Sequence, residues 1–367
     1  MRRRDVLAGV ATAALTGCLG QQSGAGGDGR IRGSWPQRGV DARNSGYLDS
    51  AHGPRQKPSV WWSTDLDGAA RAGPVVTHGR AFVPTAQSTV AVDTAGGDIT
   101  WSKPAKSVPG ATLAAASQRV LIPGADGSLR SRSPTDGAEQ WTFDAGSPLV
   151  TAVKTTGPVA YVGTESGTLR AVDASGNERW RSSLGGEPVT APAALGGVVY
   201  TGTAAGDLLG LEAGSGEVSW RASVGGRPGD PVVAGDLVLT TVGSTLLALD
   251  AETGQQIRNI ETGTSILGSP AITDGARLLT GEDGVLRSLA PGGERNWTAD
   301  VGAASVPVVA GDAVYVGTES GVAAVALTGG AVRWSVDLDA VVEYPVVTLD
   351  GAVVAVTGAD SVVALTA

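Results

Sequence analysis

Tryptophan recurs along this chain at a nearly constant interval, and that interval limits what the chain can fold into. Trp62, Trp101, Trp141, Trp180 and Trp220 stand 39 or 40 residues apart, and Trp297 and Trp334 continue the series. The gap of 77 residues between Trp220 and Trp297 is two intervals, and the missing member falls on Arg258. There Ala251-Glu252-Thr253-Gly254 aligns with Ala213-Gly214-Ser215-Gly216. A period near 40 residues suits propeller blades and some helical arrays alike, so the residues inside the period must decide.

They decide for β-structure. One unit reads Val306 to Asp312, Ala313 to Thr318, Val322 to Leu327 and Ala331 to Val336. Each run is short, rich in β-branched residues and bounded by Gly-containing turns, as antiparallel strands are. Past the N-terminus, no stretch keeps a 3.6-residue apolar period over three turns. The frame recurs: Val162-Gly163-Thr164-Glu165-Ser166-Gly167 is identical to the segment Val316 to Gly321. Four short strands per unit make a propeller blade. Eight inner-strand starts are expected near Pro74, Thr112, Leu149, Val189, Pro231, Pro270, Val306 and Tyr344. The eighth unit reaches Ala367 after only three strands, while Val60 to Leu66 reads as an outer strand with no three before it. Pairing the two would complete the last blade and cover its open edge. The expected fold is therefore all-β: an eight-bladed propeller of four-stranded antiparallel blades over residues 34–367, closed by an N-terminal strand.

The start of the chain reads as an address. Arg2, Arg3 and Arg4 precede a short apolar stretch from Val6 to Leu15, below the roughly 20 residues of a membrane span. This is the pattern of a signal peptide. Arg3-Arg4-Asp5-Val6-Leu7 resembles the twin-arginine export motif. Leu15-Thr16-Gly17-Cys18 resembles a lipobox, in which the cysteine becomes the lipidated first residue of the mature protein. Cys18 is the only cysteine in the chain, so neither an internal disulfide nor a multi-cysteine metal site is open to it. Residues 1–17 are read as a twin-arginine lipoprotein signal, and residues 18–33, rich in Gly, Gln and Ser, as a flexible tether. The expected location is the outer face of the cytoplasmic membrane, held by lipid on Cys18.

Charge excludes some partners. The formal net charge is −9, and no Lys/Arg cluster outside the N-terminus would hold a phosphate backbone, so nucleic acid is not expected. Lysine occurs only at positions 57, 103, 106 and 154, against 23 arginines. Such an acid-rich, Lys-poor composition resembles that of salt-loving archaea, for which unfolding at low salt is expected.

The repeat itself, Ala-x-Asp-x-x-Thr-Gly-x-x-x-Trp, resembles that of pyrroloquinoline-quinone-type propellers, and more narrowly the BamB-like lipoproteins. Trp35-Pro36-Gln37-Arg38-Gly39 with Asn44-Ser45-Gly46 is similar to the lead-in of such proteins. The resemblance implies that Trp62, Trp101, Trp141, Trp180, Trp220, Trp297 and Trp334 dock each blade on the next, with Arg258 leaving a weaker seam. It also raises two activities. Quinoprotein dehydrogenases of this repeat use a quinone and calcium, but are longer and commonly carry adjacent cysteines; this chain shows no hard-oxygen Asp-x-Asp-x-Asp loop. Neither cofactor is expected. BamB-like lipoproteins instead bind partner proteins through propeller loops, which implies a monomeric, non-catalytic scaffold for envelope or surface proteins. A third reading is a sensor of small ligands or carbohydrates. Inner-strand starts are mostly small residues, with Arg71, Glu187, Arg227, Asp230 and Glu343 as the charged exceptions at one channel mouth. A solvated rim of surface ion pairs is the simpler explanation of these five. His52 and His78 have no ligand at metal-binding spacing and read as surface residues.

Overall fold

The computed structural model describes residues 31–50, 52–116 and 118–367, and among them every regular element is a strand. The strands form eight sheets, each built from four consecutive antiparallel strands, except where the chain closes on itself and where the short strand Tyr47–Leu48 adds a parallel fifth strand to the sheet of Val308–Ala310. Blade one comprises Val75–Thr77, Arg80–Pro84, Ser88–Asp93 and Ile99–Pro104, from the channel outward. Blades two to seven repeat this order, with inner strands beginning at Ala114, Lys154, Ala193, Val232, Ala271 and Val308. Each opens slightly later than the sequence suggests, because the preceding residues form the connection from the outer strand.

Blade eight takes its inner three strands from Val347–Leu349, Ala352–Val356 and Ser361–Thr366. Its outer strand is Ser59–Asp65, paired antiparallel with Ser361–Thr366 in the register Ser59↔Thr366 to Asp65↔Ser361. The sequence-based closure is thus the observed one. It places the two ends of the propeller in one sheet, so that sheet is complete only when both ends are present.

The seams show why the tryptophans recur. Trp101, Trp141, Trp180, Trp220 and Trp297 each donate their indole N–H to a carbonyl in the third-to-outer-strand turn of the next blade: Pro134, Ala174, Ala213, Ala251 and Leu327, at 2.9–3.2 Å. Trp62 closes the ring on the Thr94 carbonyl of blade one. Trp334 reaches the Pro54 carbonyl, because blade eight has no such turn and the chain leading to its outer strand occupies that place. The turn glycine lies flat against the ring. At Gly97, φ is +81° and an added Cβ would stand 2.9 Å from the Trp62 indole, so both conformation and space demand glycine. Turns that begin with Asp also fasten themselves: in blade five the Asp250 carboxylate accepts the Thr253 hydroxyl and the N–H groups of Glu252 and Thr253. Those bonds, the Thr253 hydroxyl first, hold the Asp250 carboxyl below its ordinary range.

Candidate functional site

The lead-in of the propeller runs around the inside of the ring at one end of the channel. The carbonyl of Arg32 accepts from Asp350 of blade eight, and Trp35 exchanges two backbone bonds with Val76 of blade one. The Pro36 carbonyl accepts from Ala115 of blade two, and the Gln37 side chain accepts from the Thr155 N–H of blade three. Ala42, Arg43, Ser45 and Gly46 then accept from Ala194, Val233, Ile272 and Val309 of blades four to seven. Tyr47–Leu48 pairs in parallel with blade seven, and the His52 carbonyl returns to Gly351 of blade eight. About twenty residues therefore meet every blade, blade eight at both ends of the circuit. Among the described residues, Ile31 and Arg32 already contact the propeller, inside the span read as tether.

This circuit is possible because inner strands have one edge unpaired, and a circling chain satisfies backbone groups that would otherwise face the channel. Ile31, Trp35 and Val40 belong to the same apolar cluster as Trp62 and blades seven, eight and one. The Asn44 side chain donates to the carbonyls of Ala191, Pro192 and Pro231.

Five charged groups lock the circuit. Lys154, fully buried at the start of blade three's inner strand, donates from Nζ to the carbonyls of Arg38 and Asp41, at 2.5 and 3.0 Å. Arg38 pairs with Asp230 at 2.5 Å, and the other Asp230 oxygen accepts the Ala191 N–H. Asp41 pairs with Arg43 at 3.0 Å. Burial pushes the Lys154 ammonium down to about 7; Asp41 and Asp230 oppose that shift, and Arg38 adds to it.

The lead-in divides the molecule into two unlike faces. On one, the channel is stoppered. On the other, a cavity opens above the stopper, walled by Gly73-Pro74, Ser269-Pro270, Val306-Pro307 and Pro345 and floored by Trp35, Arg38, Gly39, Asn44 and Gly46. It continues into a polar groove of about 370 Å³ across blades two to five, lined among others by Glu165, Glu187, Thr190, Arg227 and Asp230.

The five charged residues singled out from the sequence separate here into two sets. Glu187, Arg227 and Asp230 share the polar groove, Glu187 and Arg227 exposed and Asp230 turned inward onto Arg38. Arg71 and Glu343 act instead on Tyr344, whose hydroxyl donates to the Ala70 carbonyl. Burial first, then Glu343, raises the Tyr344 pKa, with Arg71 opposing. His52 and His78 are both exposed. Sequence reasoning missed Arg38, Asp41 and Lys154. Lys154 carried a signal: it is one of four lysines and stands at an inner-strand start among apolar neighbours. Arg3, Arg4 and Cys18 lie outside the described residues.

Fold and site together define an eight-bladed propeller, closed by its own N-terminal strand and stoppered by its own lead-in. The chain belongs to the repeat family described as outer membrane protein assembly factor BamB, whose model matches residues 55–185, 165–282, 213–340 and 282–367. Among solved structures it is similar to BamB from Moraxella catarrhalis, with 18% identity and a TM-score of 0.67 over 84% of this chain and 100% of that one. It is also similar to a europium-containing methanol dehydrogenase, with 13% identity and a TM-score of 0.73 over 91% and 98%. A quinohemoprotein alcohol dehydrogenase from Comamonas testosteroni aligns at 14% identity and a TM-score of 0.72 over 91% and 80%. At such identities the likeness is one of fold, shared by scaffold and enzyme alike. No curated protein matches the chain in sequence.

Proposed function

We propose that this chain is a non-catalytic scaffold, exported and held to the outer face of the cytoplasmic membrane by lipid on Cys18, that presents its open propeller face to envelope or surface proteins. The observation that carries this reading is the stopper. The lead-in occupies the end of the channel with its own backbone and engages the central charges, leaving the loops of the opposite face as the accessible surface. The two faces also have an orientation. Arg32, next to the tether, meets the turn of blade eight at Asp350 on the stoppered side. A lipid on Cys18 turns that side toward the bilayer and the groove of Glu187 and Arg227 away from it.

The dehydrogenase reading fits the residues less well. A calcium-bound quinone needs several hard oxygen donors in one place. Among the described residues, no three Asp, Glu, His or Cys side chains gather into a metal-binding group. The charged residues lining the central cavity, Arg38 and Asp230, are paired with each other. The acid-rich, Lys-poor composition belongs to the same proposal as a device for work at high salt, through a charged, hydrated surface.

Two measurements test the proposal. Cys18→Ser is expected to move the protein from the membrane fraction to the released fraction; a variant that still sediments with membranes contradicts the anchor. Purified protein supplied with pyrroloquinoline quinone and calcium is expected to show no dye-linked oxidation of alcohols or sugars; turnover would overturn the scaffold in favour of an enzyme.

A further inference from the structure

The seam between blades five and six is built differently from the other seven. At each of those, the outer-strand Trp of one blade shares an apolar cluster with a small residue on the second strand of the next: Ala81, Val120, Ala160, Val199, Val238, Val314 or Val353. These are equivalent positions by register, each opposite an inner-strand residue as Ala81 is to Val76. At the fifth seam, the Trp position is Arg258 and the Ala/Val position is Arg277, opposite Ile272. Both members of the pair have become arginine, and the turn glycine that faces an indole at other seams, here Gly293, faces the Ile260 side chain instead.

What remains is a cleft of about 110 Å³ lined by Leu237, Leu239, Leu246, Ala248, Ile257, Ile260 and Pro291 together with the two arginines. Arg258 has taken over the hydrogen bond of the lost indole: its Nη1 donates to the carbonyls of Pro291 and Gly292, at 3.3 and 2.7 Å. Arg277, only 9% exposed, donates from Nη1 to the carbonyls of Thr273 and Ala276. A guanidinium carries five N–H donors, so each arginine keeps donors beyond its Nη1. No acid is among the residues lining the cleft. Arg258 is exposed to solvent, whereas Arg277 is buried, and a buried cation gains from a counter-charge; burial lowers the Arg277 pKa, with Asp274 on the adjoining turn opposing.

We propose that this cleft is a binding site for a carboxylate carried on a small aliphatic group, with Arg258 and Arg277 holding the carboxylate and the leucine-rich wall holding the aliphatic part. The volume sets the size. A cavity of about 150 Å³ holds benzene, so this one takes about four carbons, the size of isovalerate or of a leucine side chain. Two sources share that chemistry: a free short-chain acid, and the C-terminal residue of a polypeptide. The site lies on the outer wall of the ring and does not depend on the scaffold reading.

Calorimetric or NMR titration of the whole chain, in the salt that keeps it folded, tests the site. Isovalerate is expected to bind saturably, and its neutral isostere isovaleramide at least about tenfold more weakly, a difference of about 1.4 kcal/mol. Arg258→Met keeps the length of the side chain and removes its charge, and is expected to weaken isovalerate by a similar factor. Arg258→Trp restores the pattern of the other seams, fills the cleft and is expected to abolish binding while preserving the fold. N-acetyl-leucine binding more tightly than isovalerate assigns the site to a chain terminus; the reverse assigns it to the free acid. Absence of saturable binding by both acids, equal binding of acid and amide, or undiminished binding in both variants overturns the proposal.

Discussion

Replacing Trp62 with alanine is expected to lower the stability of the ring by about 3–5 kcal/mol, the range for removing a buried large aromatic side chain. Three losses coincide at this position. The indole is 7% exposed, so its removal opens a cavity in the largest apolar cluster. Its N–H leaves the Thr94 carbonyl without that partner. Gly97, held at φ +81° against the ring, loses the surface that covers it. Trp62 also sits on the strand that closes blade eight, so unfolding should begin by release of residues 59–65 from Ser361–Thr366. The neighbouring Trp61 is the control. It is 55% exposed, though its N–H meets the Ala95 carbonyl, and Trp61→Ala should cost less than about 1 kcal/mol. Chemical denaturation of both variants measures the difference.

Lys154→Met is expected to destabilise the fold by about 2 kcal/mol at neutral pH, because the carbonyls of Arg38 and Asp41 lose the donor that joins blade three to the stopper. The loss should depend on pH in a defined direction. Burial lowers the lysine pKa from 10.5 in the open chain to about 7 in the fold. Between those values the unfolded chain holds a proton that the folded one does not, so wild-type stability rises with pH across that window. Below about 7 both states hold the proton and the full cost of the buried charge is present. Methionine cannot titrate. The gap between wild type and variant should therefore widen from pH 7 toward 10.5, by at most about 1.4 kcal/mol per pH unit. A gap that stays flat across this window would show that Lys154 has the same proton affinity folded and unfolded.

The architecture was legible because it repeats. A Trp that packs on the next blade and a Gly that must lie flat beneath it are local demands repeated from blade to blade, so they leave a periodic trace. The closing strand was legible for the same reason: Val60 to Leu66 is an outer strand lacking its blade, and the last unit is a blade lacking its outer strand. The stopper leaves no such trace. Lys154 and Asp230 lie far from Arg38 and Asp41 in sequence and meet them only because the lead-in circles the channel, a path fixed by backbone bonds to seven blades and by the Gln37 side chain to blade three. Arg71 and Glu343 share a strand-start position with Glu187 and Arg227 but not a place, since equivalent positions in different blades point to different sectors of the mouth. At the fifth seam the sequence showed half of the departure. Arg258 broke the tryptophan series openly, whereas Arg277 is visible only when second strands are aligned and one arginine stands against seven Ala or Val residues. Arg258 also preserves the hydrogen bond that its substitution seemed to forfeit.

The lead-in is part of the propeller core and closes one end of its channel. Amide hydrogen exchange on the full-length protein tests this most directly. The N–H groups of Trp35, Val40 and Gly46, bonded to Val76, Gln37 and Gly39 respectively, should exchange as slowly as the inner strands they accompany, requiring global unfolding. Exchange of these amides at the rate of a free chain, while the eight inner strands stay protected, would contradict it and leave the channel open from end to end.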